Sequence, residues 1–287
     1  QTKQRLPLTG RLPYFMANWL NITQDPIILQ IVQGFQIQFQ SFPVQRSLPR
    51  LSLQNCKLVG EEIETLLRKG AIQRVPFSEQ GFYHRMFLVA KKGGGQRPVL
   101  DLSPLNKFIQ AEHFKMENLM TIKSLITKGD YMINIDLTDA YLTVPIHPAS
   151  QNFLRILWQG QSYQFVTMPF GLNVAPRVFT KLMKPVTSWL RGQGVRMIIF
   201  LDDILVLAST IETLNHHARI TIRLLESLGF LINYQKSTLV PTQRILFLGM
   251  LIDSSTMEFV LPRDKKENIL RECRHLLRTN QPSIRQI

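Results

Sequence analysis

The stretch Met197–Ala208, MIIFLDDILVLA, sets two adjacent aspartates, Asp202 and Asp203, in an otherwise apolar run. Apolar runs of this length read as buried strands, and Asp is a common turn residue. The pair can therefore be the tip of a β-hairpin in which Arg196–Leu201 pairs with Ile204–Ala208. Tight hairpin turns favour Gly or Asn where φ is positive, and neither is present here. Two neighbouring carboxylates also repel, and burial raises their pKa unless a cation is close. A divalent metal ion over the turn is the alternative to a plain hairpin tip, and the rest of the chain decides between them.

A chain of 287 residues has room for one large domain or two to three subdomains, and 45% hydrophobic residues supply an ample core. The 34 basic and 20 acidic residues leave a net charge of +14. The basic groups are spread along the chain. Folding would gather them into a basic surface suited to a polyanion such as nucleic acid, against the plainer reading of a soluble basic protein. No apolar run is long enough to span a bilayer and no signal peptide is evident, so no membrane partner is expected. The start QTKQRLPLTG lacks Met, which reads as a fragment or processed product. Cys56 and Cys273 are too far apart in sequence for a disulfide framework or a zinc spacing, so a reducing compartment is the default. No H-E-x-x-H pattern occurs, and His216–His217 reads as structural.

Working outward, Tyr131–Leu137 (YMINIDL) is a second apolar strand ending in a carboxylate, Asp136. Helices are expected over Val59–Lys69, ending at Gly70, over Val174–Arg191 with Pro185 inside, over Ile211–Leu228, and over Arg263–Arg278. Strands are expected at Phe87–Lys92 and Gln96–Asp101, flanking a Gly-rich tip, and near Phe153–Leu157, Tyr163–Met168, Ser237–Val240 and Ile245–Ile252. Residues 1–55 mix apolar stretches with Gln and Pro and read as a docking arm or a lead-in. Helices alternating with non-parallel strand signals indicate an α+β fold.

If the strands ending at Asp136 and at Asp202–Asp203 are neighbours, three carboxylates meet at one sheet edge. Two Mg²⁺ ions about 3.5–4 Å apart would neutralise them and clamp an in-line phosphoryl displacement. Hard cations take oxygen ligands of this kind. The hairpin carrying Lys91, Lys92 and Arg97 would lend positive charge to phosphates, Arg by bidentate contact and Lys as a point charge.

Six segments in order, AKKGGGQRPVLDLSPLN, INIDLTDAY, MPFGLNVAPRVF, FLDDILV, LGFLINYQKS and FLGMLI, resemble the successive sequence blocks of reverse transcriptases. The resemblance covers roughly residues 57–287, and GFYHRMFLVAKK with RPVLDLSPLNKFI gives it the flavour of the DIRS-like, tyrosine-recombinase group of retrotransposons. It implies a right-hand polymerase with an antiparallel palm sheet backed by helices: fingers over 56–111 and 144–174, palm over 112–143 and 175–260, and a truncated thumb starting at 261–287, with 1–55 as an N-terminal extension. It implies Asp136, Asp202 and Asp203 as metal-binding catalytic carboxylates, completed by the Leu137 carbonyl, with two Mg²⁺ (Mn²⁺ as substitute). Lys92, Arg97, Thr138, Asp139, Ala140, Phe170 and Lys236 would contact the incoming nucleotide, Lys236 as proton donor to pyrophosphate. Tyr141 would lie under the sugar and exclude a 2′-hydroxyl, which favours dNTPs. Gly171, Phe200, Leu201, Phe247, Leu248 and Gly249 would meet primer or template. Tyr141 and Phe170 can also be plain core, and Lys236 a surface lysine. Phe200 stands where the family more often has Tyr.

The implied function is RNA-directed DNA synthesis on an RNA or DNA template with primer, by a segment of a polyprotein that continues into a ribonuclease H and other domains. An RNA-dependent RNA polymerase is the second reading, opposed by Tyr141. A catalytically inactive domesticated relative that only binds nucleic acid or protein is the third, opposed by the three intact carboxylates.

Overall fold

The computed structural model describes residues 6–45, 48–49, 56–90, 96–110, 112–117 and 119–278. Among these residues the strands run, in chain order, β1 (Ile72–Val75), β2 (Tyr83–His84), β3 (Met86–Ala90), β4 (Gln96–Leu100), β5 (Tyr131–Asp136), β6 (Arg155–Trp158), β7 (Gln161–Phe165), β8 (Arg196–Phe200), β9 (Asp203–Ala208), β10 (Thr238–Thr242), β11 (Arg244–Phe247), β12 (Met250–Asp253) and β13 (Glu258–Val260). The helices are α1 (Met16–Leu20), α2 (Pro26–Gln33), α3 (Cys56–Lys69), α4 (Ser103–Asn106), α5 (Leu119–Leu125), α6 (Pro148–Gln151), α7 (Ala175–Gly192), α8 (Ile211–Ser227) and α9 (Arg263–Arg278). None of the described helices is long and apolar enough to cross a membrane.

The central sheet is antiparallel in the order β10-β5-β9-β8. Residues opposite one another on paired strands share a face, and successive residues alternate. Ile133, Ile135, Ile204, Val206 and Met197 therefore share one face and join the main core, where Phe179, Leu182 and Val186 of α7 and Leu214 and Leu225 of α8 meet them. The opposite face carries Met132, Ile198, Leu205 and Leu207, which pack with Ile122 of α5 and with Ile245, Phe247 and Ile252 of the small sheet β11-β12-β13. Both faces are buried, which is why these strands read as near-continuous apolar runs. A second four-stranded sheet, β1-β7-β6-β2, and the hairpin β3-β4 complete the strand layers. In that second sheet β2 runs parallel to β6.

Two regions depart from the sequence reading. Residues 1–55 carry no clear pattern in the sequence, yet Leu12, Trp19, Ile28, Ile31 and Val32 are buried in the main core, Trp19 completely. The Trp19 indole donates to Leu228 O at 3.0 Å and the Asn18 amide donates to Ser227 O at 2.6 Å, which fastens this segment to the end of α8. The expected single strand Ile245–Ile252 is instead the hairpin β11-β12. Its turn is Leu248–Gly249, both at positive φ (+48° and +76°), the combination a two-residue loop needs to follow the twist of its strands. Leu248 hides the turn, because apolar residues at positive φ are uncommon.

Candidate active site

Continuing the alternation of β5 and β9 toward their shared end brings Asp136 directly opposite Asp203, on the face that holds Met132, Leu205 and Leu207. Phe200 faces Asp203 from β8. The loop between β8 and β9 is Leu201–Asp202, and Leu201 takes φ +56°. The positive φ that has no Gly or Asn to supply it is thus adopted by a leucine, a strained choice of the kind that concentrates at functional turns. The Leu137 N–H donates to Asp202 O at 3.0 Å and carries the ladder one step past the aspartates.

The acids are held from behind. The Asp136 N–H donates to Ser237 Oγ at 3.0 Å, Ser237 Oγ donates to Asn233 O at 2.7 Å, and Asn233 N donates to Asp136 O at 2.8 Å. The Asn233 amide also hydrogen-bonds the Asp136 carboxylate, and the Asn134 amide does the same for Asp203. Burial, and then the repulsion of Asp202 and Asp136, push the Asp203 carboxyl up to about 6. Burial raises Asp136 as well, opposed by the Lys236 ammonium and reinforced by Asp202. Lys236 also acts on Asp203. The expected cluster of three acids and Lys236 is therefore one electrostatic unit.

These residues fit hard divalent cations. The donors are all oxygens, the field of the site calls for positive charge, and the buried Asn134 Oδ1 has no hydrogen-bond partner among the described residues. No three Asp, Glu, His or Cys side chains among the described residues are gathered as a finished ligand set. The β5–β9 register brings Asp136 and Asp203 face to face and leaves Asp202 on the turn.

An aromatic floor lies beside the acids. Tyr141 is 9% exposed, with its ring centroid 5.0 Å from Phe170 and 5.7 Å from Phe179. Burial, with the Asp202 charge second, pushes its phenol up to about 12. Phe170 is half exposed, and Gly171 at φ +96° turns the loop beneath it. The Asn106 amide donates to Gly171 O at 2.8 Å and the Asn173 N–H donates to Asn106 Oδ1 at 3.0 Å, so α4 holds this loop. Between strand and floor, Thr138 N donates to Leu231 O at 2.8 Å, Asp139 takes φ +50°, and Ala140 opens a turn of 3₁₀ helix through Thr143.

The remaining expected residues fall in three places. Leu248 and Gly249 form the β11–β12 turn, while Phe247 is 2% exposed and packs into the core beneath it, so it shapes that turn from inside. Arg97 sits opposite Val89 on the β3-β4 ladder, and its side chain lies outside the described residues, as does all of Lys92 together with Lys91. Sequence reasoning missed Asn134, Asn233, Ser237 and Asn106. Asn134 was legible: a polar residue two positions before Asp136 on a strand must share its face.

Residues 89–252 match the family model described as reverse transcriptase (RNA-dependent DNA polymerase). The genome polyprotein of Petunia vein clearing virus is 29% identical over 215 residues, which cover 72% of this chain and 9% of that polyprotein. Protein P of duck hepatitis B virus is 29% identical over 191 residues, covering 63% of this chain and 23% of that protein. The chain thus spans less than a quarter of the length of these relatives. Among solved structures, a foamy viral protease–reverse transcriptase in complex with an RNA/DNA hybrid superimposes with a TM-score of 0.71 at 16% identity, over 99% of this chain and 40% of that one. The same enzyme with double-stranded DNA gives 0.68 at 21% identity, over 87% and 49%. The α+β fold expected from the sequence, with an antiparallel sheet backed by helices, is the fold of these enzymes. With more than half its length matched by the family model and three acids at the end of its central sheet, the chain belongs to the reverse transcriptase (RNA-dependent DNA polymerase) family.

Proposed function

We propose that this chain is the polymerase segment of a retroelement polyprotein, an RNA-directed DNA polymerase that extends a primer 3′-OH with dNTPs. The observation that carries this reading is the register Asp136 opposite Asp203, with Asp202 on the adjoining turn, beside the aromatic floor of Tyr141 and Phe170. In the reaction the 3′-oxygen bonds to the α-phosphorus, the bond to the leaving pyrophosphate breaks, and the hydroxyl proton is lost. Asp136, Asp202 and Asp203, with the Leu137 carbonyl, would hold two divalent ions, Mg²⁺ or Mn²⁺. Bound there, the ions supply positive charge to the attacking and leaving oxygens. Lys236, within electrostatic reach of Asp136 and Asp203, would give a proton to the departing pyrophosphate. Tyr141 presents its ring to the sugar, and a 2′-hydroxyl would overlap it. Thr138, Asp139, Ala140 and Phe170 would line the nucleotide, with Arg97 and Lys92 on the triphosphate. Gly171, Phe200, Leu201, Leu248 and Gly249 would meet primer or template, with Phe247 behind them.

The same reading assigns 56–111 and 144–174 to fingers, 112–143 and 175–260 to palm, and 261–287 to the start of a thumb. It places the element in the DIRS-like group on the motifs GFYHRMFLVAKK and RPVLDLSPLNKFI, acting inside the cell with a primed RNA or DNA template. The test is primer extension on an RNA template with Mg²⁺, dNTPs against NTPs, for the unmodified chain and Asp202→Asn. Metal-dependent dNTP incorporation that the substitution abolishes supports the reading. Salt-sensitive duplex binding without incorporation would favour a binding-only relative, and NTP incorporation an RNA polymerase.

A further inference from the structure

The Lys69 ammonium lies 2.7 Å from Asp139 Oδ2, joining two segments remote in sequence. Asp139 is the left-handed residue between the strand that ends in Asp136 and the 3₁₀ turn that carries Tyr141. An L residue adopts that conformation at a cost, and Asp is among the few that do so at all. It persists when neighbouring structure holds it. Here the holding groups come from outside the stretch matched by the family model. Lys69 closes α3, where its ammonium also sits at the negative end of the helix. Its carbonyl accepts the Thr9 hydroxyl at 2.8 Å, and Thr9 is 2% exposed. The next residue, Gly10, donates its N–H to Leu142 O at 2.7 Å, on the far side of the same turn. Both ends of Asp139–Leu142 are thus tied, one through Lys69 and one through Gly10.

We propose that Lys69 is a positioning residue for the nucleotide: it fixes the Asp139–Tyr141 turn and neutralises the Asp139 carboxylate, with Thr9 holding Lys69 in place. The inference rests on the polymerase reading above. An unpaired carboxylate at this position would repel an incoming triphosphate, whereas a paired one does not. The side chains of Lys69 and Asp139 are 32% and 25% exposed, so solvent screens the pair only in part.

The experiment compares the full chain with K69M, K69R, D139N and K69M/D139N in three measurements: steady-state dNTP incorporation, thermal melting, and hydrogen exchange of the backbone amides of residues 139–142. The expected result for K69M is a dNTP KM raised about tenfold with kcat within about twofold, the pattern of a lost binding contribution. K69R restores KM, and the double variant is no worse than K69M, because both substitutions remove one interaction. Amides 139–142 exchange faster in K69M at an unchanged melting temperature. Unchanged KM and unchanged exchange in K69M would overturn the proposal, as would a joint fall of kcat and melting temperature at constant KM. No incorporation by the unmodified chain would remove the polymerase reading and this inference with it, whereas incorporation with a KM indifferent to K69M removes the inference alone.

Discussion

Asp136 and Asp203 face one another across the β5–β9 ladder, and the Asp203 carboxyl is held up at about 6 by burial and by its two acidic neighbours. A sheet that places two carboxylates in register at a half-buried end loses stability when both ionise, and the loss is measurable. A carboxyl whose folded pKa lies above its unfolded value of 3.8 binds a proton more tightly in the folded chain. Its contribution to stability is fully present below 3.8 and is lost as pH rises through about 6.

The first prediction follows from that sign. In chelator, melting temperature should rise as pH is lowered from 7.5 to 5, and Asp203→Asn should flatten this rise. At pH 7.5 the substitution should stabilise the chain by on the order of 1 kcal/mol, discounted for partial exposure, which is roughly 2–4 °C. If Asp203 helps hold the metal as proposed, the same variant should lose primer extension by a factor of about 10³ or more, since the stabilisation removed is made mainly in the transition state. A variant that melts lower than the unmodified chain at pH 7.5 would contradict the electrostatic account.

Divalent metal should stabilise the chain as protonation does, by relieving the same carboxylate repulsion, and should compete with it. Mg²⁺ or Mn²⁺ at about 100 times its dissociation constant adds about 2.7 kcal/mol, so melting at pH 7.5 should rise by several degrees and fall back on addition of EDTA. At pH 5 the gain should shrink, because protons compete for Asp203. Calorimetric melting of the unmodified chain and of Asp136→Asn checks this, and an equal metal response in both would place the ion elsewhere.

On the polymerase reading proposed above, Tyr141 would carry the choice of sugar. Its ring packs against Phe170 and Phe179, which would hold it in place against a 2′-hydroxyl. Tyr141→Ala should lower dNTP-over-NTP discrimination by about 10² or more, mainly through better use of NTPs. Tyr141→Phe should leave discrimination unchanged, since overlap depends on the ring and not on the hydroxyl. Competing incorporation of dGTP and GTP opposite one template base measures both.

The carboxylates were legible because acids that interrupt apolar strands are costly to bury without a cation, and the period of two aligns them once β5 and β9 pair. Helices α3, α7, α8 and α9 were legible from their amphipathic periodicity. The partners of the acids were harder to find. Asn233 and Ser237 become neighbours of Asp136 only through a long-range ladder, and Lys69 meets Asp139 only through the packing of α3 on the turn. The stretch 12–33 was illegible for a related reason. Its helices are short, its apolar residues are interspersed with Gln and Asn, and what fixes it is contact with α7 and the end of α8.

That segment yields the last prediction. Trp19 is fully buried, meets Phe230 edge to face at 6.0 Å, and donates its indole N–H to Leu228 O. One step along, Gly229 at φ +99° passes so close to the Phe15 ring that an added Cβ would lie 2.7 Å from it. The chain from there reaches Leu231, which accepts from Thr138, and Asn233, which supports Asp136. Trp19→Ala should therefore cost about 3–5 kcal/mol, the range for removing a buried large aromatic. Trp19→Phe should cost less, keeping the packing and losing the hydrogen bond, with Leu228 O left to find another donor. Urea unfolding followed by tryptophan-independent far-UV circular dichroism gives both values. If residues 12–33 were an appended arm, removing Trp19 would leave the midpoint of the main transition where it was. As a brace of the shelf that carries Asp136, its loss should shift that midpoint and primer extension together.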